Sequence, residues 1–153
     1  MRYSNRGFTL VEVTVTLAIL GLMLGIGIFY SMENFRGVSF RSERDTMVGV
    51  LQKARSRAMA NIGQSSWGVH YEGSPQYTYT IFRGAAYSAG ASTNEVLHGN
   101  KGAIVLSDPV PGPLADILFT QLSGTTTGNA SAKITENSRS TIVSVHYEGT
   151  IIW

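Results

Sequence analysis

The sequence predicts an α+β protein in which one long N-terminal helix, first membrane-spanning and then amphipathic, packs on a small antiparallel β-sheet head. Three observations carry this prediction. Residues 8–30 form an apolar run with one carboxylate, residues 40–62 repeat apolar side chains at helical spacing, and beyond Gly63 the apolar period falls to two.

The apolar run FTLVEVTVTLAILGLMLGIGIFY would span ~34 Å as a helix at ~1.5 Å per residue, enough for the ~30 Å hydrocarbon core of a bilayer. Arg2 and Arg6 precede it and no acidic residue does, so the positive-inside rule leaves the N-terminus in the cytoplasm and the head outside it. An ordinary secretory signal is the competing reading. Ser31-Met32-Glu33-Asn34-Phe35 offers no small-x-small cleavage site, and the run is longer than such signals carry.

The carboxylate of Glu12 is the feature a plain anchor does not explain. At membrane depth it costs roughly 2.5–3.5 kcal/mol, and such residues usually find a partner and mark function. No basic residue lies within helical reach on its C-terminal side. A cut between Gly7 and Phe8 would create an α-amine at Phe8, a cation with which Glu12 of the same or a neighbouring chain could pair.

Arg6-Gly7-Phe8-Thr9-Leu10-Val11-Glu12 resembles the class III signal of type IV prepilins and type II secretion pseudopilins. The resemblance implies that a prepilin peptidase removes residues 1–7 by cutting after Gly7 and methylates the amine of Phe8. It also implies that Glu12 neutralises the Phe8 amine of an adjacent subunit during assembly. Gly7 suits the cut because backbone without a side chain enters a narrow active site. Many pilins carry proline where this chain has Phe29; Gly21, Gly25 and Gly27 instead weaken the helix by roughly 1 kcal/mol each, or serve close helix packing in membrane.

Residues 31–62 read as the amphipathic continuation. Phe40, Met47, Leu51, Ala54, Ala58 and Ile62 define its apolar face, and Asn61-Ile62-Gly63 its stop. A helix from Phe8 to Ile62, with a possible interruption near Gly37, is expected. Arg41, Arg44, Lys53, Arg55 and Arg57 alternate with Glu43 and Asp45, which reads as a solvated polar face rather than a patch for nucleic acid or lipid headgroups.

Residues 63–153 form the β-rich head. Trp67, Val69 and Tyr71, the turn Gly73-Ser74-Pro75, and Tyr77, Tyr79 and Ile81 predict a hairpin. Residues 84–102 read as a long loop, with strands at 103–107, 117–121, 131–136 and 140–147 and a terminal Ile151-Ile152-Trp153. A Trp-Gly-Val strand, a Phe119 strand before Gly124-Thr-Thr-Thr-Gly128, and a closing hairpin at Gly149-Thr150-Ile151 resemble the GspH/FimT-type minor pseudopilins over roughly residues 45–153. That resemblance implies a pilin-like fold and a low-copy subunit, often near a filament tip. Its partners would be the prepilin peptidase, other pilins or pseudopilins through the N-terminal helix, the inner-membrane assembly platform and membrane lipid. The implied location is the bacterial inner membrane, single-pass, and then a periplasmic pseudopilus or a surface pilus.

The composition, 43% hydrophobic and 14% charged in 153 residues, allows one modest domain. With no cysteine there is neither a disulfide framework nor a Cys-ligated metal. The net charge of +2 owes its excess to Arg2 and Arg6; without residues 1–7, ten basic face ten acidic side chains. That balance weighs against the alternative of a DNA-uptake pilin, whose local patch would draw on Arg83, Lys101, Lys133 or Arg139. No catalytic motif is recognisable and no cofactor is expected. Val-His-Tyr-Glu-Gly occurs at 69–73 and 145–149, and a metal site of His70, Glu72, His146 and Glu148 can be drawn from it. Two similar strand ends entering turns is the plainer reading. Asp108 and Asp116 around Pro-Gly-Pro lack recognisable calcium spacing, Asp108 serving equally as a turn former. Asn129-Ala130-Ser131 is turn composition.

Overall fold

A computed structural model describes residues 8–136 and 138–153, and side chains there except at 29–39. The chain divides into two units, Met1–Val38 and Ser39–Trp153.

Helix α1 spans Leu10–Met59. In the first unit every described side chain from Phe8 to Ile28 is exposed, which is the pattern of an element whose surroundings are not water. The interruption considered near Gly37 does not occur: the backbone is helical without a break from Leu10 to Met59. In the second unit the helix buries Met47, Val48, Val50, Leu51, Ala54 and Ala58. Phe40 packs at the edge of that cluster. Ile62, expected on the same face, is half-exposed instead, because α1 ends three residues early. Asn61 takes the left-handed conformation (φ 56), and the chain then makes a 3₁₀ turn at Ile62–Gln64. Asn tolerates that conformation because its short amide bonds locally; here its Oδ1 accepts the Gln121 amide at 2.6 Å.

The strands are β1 (Trp67–Glu72), β2 (Thr78–Arg83), β3 (Glu95–His98), β4 (Ile104–Ser107), β5 (Ile117–Phe119), β6 (Ala130–Glu136), β7 (Arg139–Val145) and β8 (Ile151–Ile152). They build two antiparallel sheets rather than the single sheet expected, in the orders β3-β2-β1-β5 and β4-β6-β7-β8. The β1–β2 hairpin pairs Trp67 with Arg83 and Glu72 with Thr78. After β4 the chain crosses to pair β5 with β1 and returns for the β6–β7–β8 meander.

Strand β3 lies inside the segment read as a loop. It is four residues long and contributes one partly buried apolar side chain, Leu97, to the core, too little alternation to stand out from Gly, Ala, Ser and Asn. Glu95 at its start accepts hydrogen bonds from Lys53 and Arg57 of α1. Arg57 also lies 4.9 Å from the centre of the Trp67 ring, within cation–π reach.

The core of the head joins the buried face of α1 to Trp67, Val69, Tyr79, Ile81, Ile117 and Phe119 of the first sheet. Val105, Ala132, Ile134, Val143 and Val145 contribute from the second. Strand β2 is buried on both faces. On its outer face Phe82 packs over Gly68, where an added Cβ would meet the ring at 2.3 Å. Tyr87 closes the same side, stacked on His70 with centroids 3.8 Å apart and meeting Phe82 edge-on at 5.8 Å. Tyr87 therefore covers part of the outer face of the first sheet, while Val96, opposite Thr80 on that face, is left 54% exposed.

Candidate assembly site on the N-terminal helix

Thr9 precedes the first helical residue, and its Oγ1 accepts the backbone N–H of Glu12 at 3.2 Å. This is the N-cap bond that satisfies one of the four free amides opening a helix. Thr9 and Glu12 stand at capping-box spacing, a signal that was legible in Thr-x-x-Glu. Glu12 lies in the first turn, where the amide dipoles favour an anion.

The two other polar side chains of the apolar run satisfy themselves. Thr14 Oγ1 donates to the Val11 carbonyl at 2.9 Å, and Thr16 Oγ1 reaches the Glu12 and Val13 carbonyls at 2.9 Å each. The Glu12 carboxylate is thus left as the one polar group of this stretch without a side-chain partner among the described residues. It sits one helical turn from Phe8, which is 82% exposed. Leu10–Ile28 is long and apolar enough to cross a membrane, with none of it buried. Gly7 lies outside the described residues. Gly21, Gly25 and Gly27 have open space where a Cβ would stand.

The head corrects the solvated-face reading of α1 at one residue. Asp45 is exposed and paired with Arg44 at 2.7 Å, but Glu43 is 2% exposed. Its Oε1 accepts the Tyr79 hydroxyl and its Oε2 the Asn100 amide, both at 2.6 Å. Burial, followed by the charge of Glu43, pushes the Tyr79 hydroxyl far above the ordinary tyrosine range, so it remains a donor. Its spacing was the available signal: Glu43 stands three residues after Phe40 and four before Met47, on the apolar face rather than the polar one.

The four cations considered for DNA do not form one stripe. Arg83 ends β2 in the first sheet, with its guanidinium against Gly63. Lys101 sits in the turn before β4. Lys133 and Arg139 belong to the β6–β7 hairpin, but alternation places Lys133 on the outer face and Arg139 with inward-pointing Glu136.

The repeated pentapeptide splits likewise. His70 is in β1, where its Nδ1 lies 2.7 Å from Asp116 Oδ1, while His146 opens a turn closed by the Gly149 N–H on its carbonyl. Among the described residues no three His, Asp or Glu side chains converge to hold a metal ion. Asp116 is engaged with His70, the Asp108 amide bonds the Ser131 carbonyl, and Asn129 Oδ1 accepts the Tyr147 amide at 2.9 Å. An apolar cavity of about 400 Å³ between Tyr71, Val105, Leu106, Pro111, Pro113 and Leu114 offers no charged group for chemistry.

Residues 2–28 match the family model of the prokaryotic N-terminal methylation motif. No curated protein sequence matches the chain significantly. The type IV minor pilin FimU of Pseudomonas aeruginosa is similar in structure in two crystal forms. One has a TM-score of 0.56 at 17% identity, covering 73% of this chain and 90% of FimU. The other has 0.55 at 16%, covering 80% and 90%. The minor pseudopilin EpsH from the Type 2 Secretion System of Vibrio cholerae gives a TM-score of 0.45 at 13% identity over 72% of this chain and 94% of EpsH. The chain therefore carries a prokaryotic N-terminal methylation motif that runs into an exposed apolar helix, and it is similar in fold to a type IV minor pilin.

Proposed function

We propose that this protein is a minor pilin or pseudopilin, a structural subunit that helps to prime or cap a filament of the type IV pilus or type II secretion class. The observation that carries the reading is the isolated Glu12 carboxylate. It stands in the first turn of α1, where the neighbouring Thr9, Thr14 and Thr16 hydroxyls are bonded to the helix backbone, one turn from the exposed Phe8.

Prepilin peptidase cuts between Gly7 and Phe8 and methylates the new amine, and the Arg2 and Arg6 leader stays on the cytoplasmic side of the inner membrane. In the membrane the apolar helix holds the subunit by burial in lipid. In the filament it packs against the helices of other pilins, and Glu12 pairs with the Phe8 ammonium of a neighbour. An ion pair with charge-assisted hydrogen bonds compensates the desolvation that either group alone would suffer.

Intact-mass and N-terminal analysis of the protein from its native membrane tests this reading. A chain beginning at N-methylated Phe8 is expected. A chain retaining residues 1–7 in cells with an active peptidase would reduce it to an anchored β-rich domain.

A further inference from the structure

The two sheets treat their outer faces differently. The first is covered at its centre by Tyr87 over His70 and Phe82, with Val96 alone of its large apolar side chains more than half exposed there. The second is bare, and it is apolar. Ile104 is 58% exposed, Ile142 45% and Ile152 53%, with Leu106 also exposed.

The pairing register gathers these side chains. Leu106 of β4 stands beside Lys133 of β6, and Lys133 beside Ile142 of β7. Ile104 lies two residues along β4 on the same face. Ile152 of β8 is opposite Ser144, which is opposite Ser131. The remaining positions are small hydroxyl residues, and Ser131 and Ser144 bond each other at 3.0 Å.

Lys133 is the single cation at the centre of this face, with no ion-pair partner among the described residues, and no acidic side chain shares the face. Water solvates the ammonium, but among the described residues none covers the aliphatic side chains around it. A contiguous apolar face with a polar centre is the anatomy of a protein contact.

We infer that the outer face of the β4-β6-β7-β8 sheet docks the head of a different pilin-like subunit, one that presents a carboxylate within an aliphatic surface to Lys133. This inference rests on the filament-subunit reading above. Nucleic acid would ask for several cations along a track, whereas this face has one among aliphatics. Two copies meeting through the same face about a two-fold axis would bring Lys133 against Lys133, a like-charge contact at the centre of the interface.

The test uses the full-length chain in cells that assemble the native filament, with a benzophenone amino acid in place of Ile142. Irradiation is expected to give an adduct identified by mass spectrometry as another chain with an N-terminal methylation motif, cross-linked through a peptide containing Asp or Glu. Lys133→Glu should reduce the adduct roughly ten-fold, the loss of about 1.4 kcal/mol of coupling. Replacing the partner's acidic residue with Lys should restore it. Lys133→Gln, which removes the charge without reversing it, should give a smaller loss and guards against a folding defect in the reversal. An adduct to lipid, nucleic acid or a second copy, or no adduct, in a chain that carries methylated Phe8 and fractionates with filaments would overturn the docking face and leave the subunit reading intact. An unprocessed chain absent from filaments would overturn that reading and the docking face with it.

Discussion

The Tyr79 hydroxyl donates to Glu43 Oε1 at 2.6 Å in the interior of the head, joining α1 to β2 through a buried carboxylate that forms no ion pair among the described residues. With the Asn100 amide on Oε2, this carboxylate ties the β3–β4 turn to the helix. Tyr79→Phe leaves the buried anion one donor short and is expected to lower stability by about 1–3 kcal/mol. Chemical denaturation reads this directly. In a double-mutant cycle with Glu43→Gln, the two losses should not add.

The same carboxylate influences Tyr71. Burial first, and then the charge of Glu43, pushes the Tyr71 hydroxyl up to about 12. In the unfolded chain it would titrate near ~10. The neutral form is therefore favoured by folding, and this contribution is complete below about pH 10 and is lost as the pH rises from ~10 through ~12. Alkaline titration of phenolate absorbance should show a late-titrating fraction that moves toward ordinary values in Glu43→Gln. Simultaneous titration of all tyrosines in the folded protein would contradict it.

Glu95 behaves in the opposite sense. Hydrogen bonds from Lys53 and then Arg57 hold its carboxyl below the usual carboxylate range. Its stabilisation is present above the ordinary carboxylate pKa and is lost as the pH falls through the depressed value. The groups are partly exposed, so Glu95→Gln should cost at most about 1 kcal/mol, and salt should erode the difference. Thermal melts at low and high ionic strength measure it.

Gly149→Ala should be more damaging than Gly68→Ala. Gly149 has φ 78, and a Cβ there would lie 2.0 Å from the Gly124 carbonyl oxygen. Left-handed backbone costs an L side chain about 1–2 kcal/mol before that clash with backbone is counted. At Gly68 the obstacle is the Phe82 ring, which can shift, for about 1–3 kcal/mol. Denaturant midpoints of the two variants give the ranking.

Glu12→Gln should leave membrane insertion intact and reduce incorporation into filaments roughly ten-fold, the equivalent of about 1.4 kcal/mol. Comparing membrane-fraction and filament-fraction yields measures the two effects separately. Normal incorporation would remove the basis for pairing with the Phe8 amine.

How much of this was legible in the sequence follows from how local each signal is. The apolar run and the β1–β2 hairpin are encoded within a few consecutive residues, and the structure has them where their patterns lie. The end of α1 was missed by three residues because the chain turns left-handed already at Asn61, two residues before Gly63 does so as well. The partners that satisfy the buried Glu43, Tyr79 and Asn100, stand 36 and 57 positions away, and strand β3 takes its place by pairing with β2. Periodicity puts Glu43 on the apolar face but does not name such partners. The separation into two sheets likewise follows from the return of β5 to β1, a tertiary choice that no strand pattern announces.

Thr14 and Thr16, whose hydroxyls are bonded to the carbonyls of the preceding turn, make the N-terminal helix indifferent to its solvent. A segment that brings its own hydrogen-bond partners can leave lipid for a packed protein environment without exposing an unmet polar group on the way. Van der Waals contacts with lipid tails are then exchanged for contacts with other side chains, a nearly balanced trade. Among the described side chains of this segment Glu12 alone lacks such a partner, so in the filament reading proposed above a single carboxylate would give the transfer its direction.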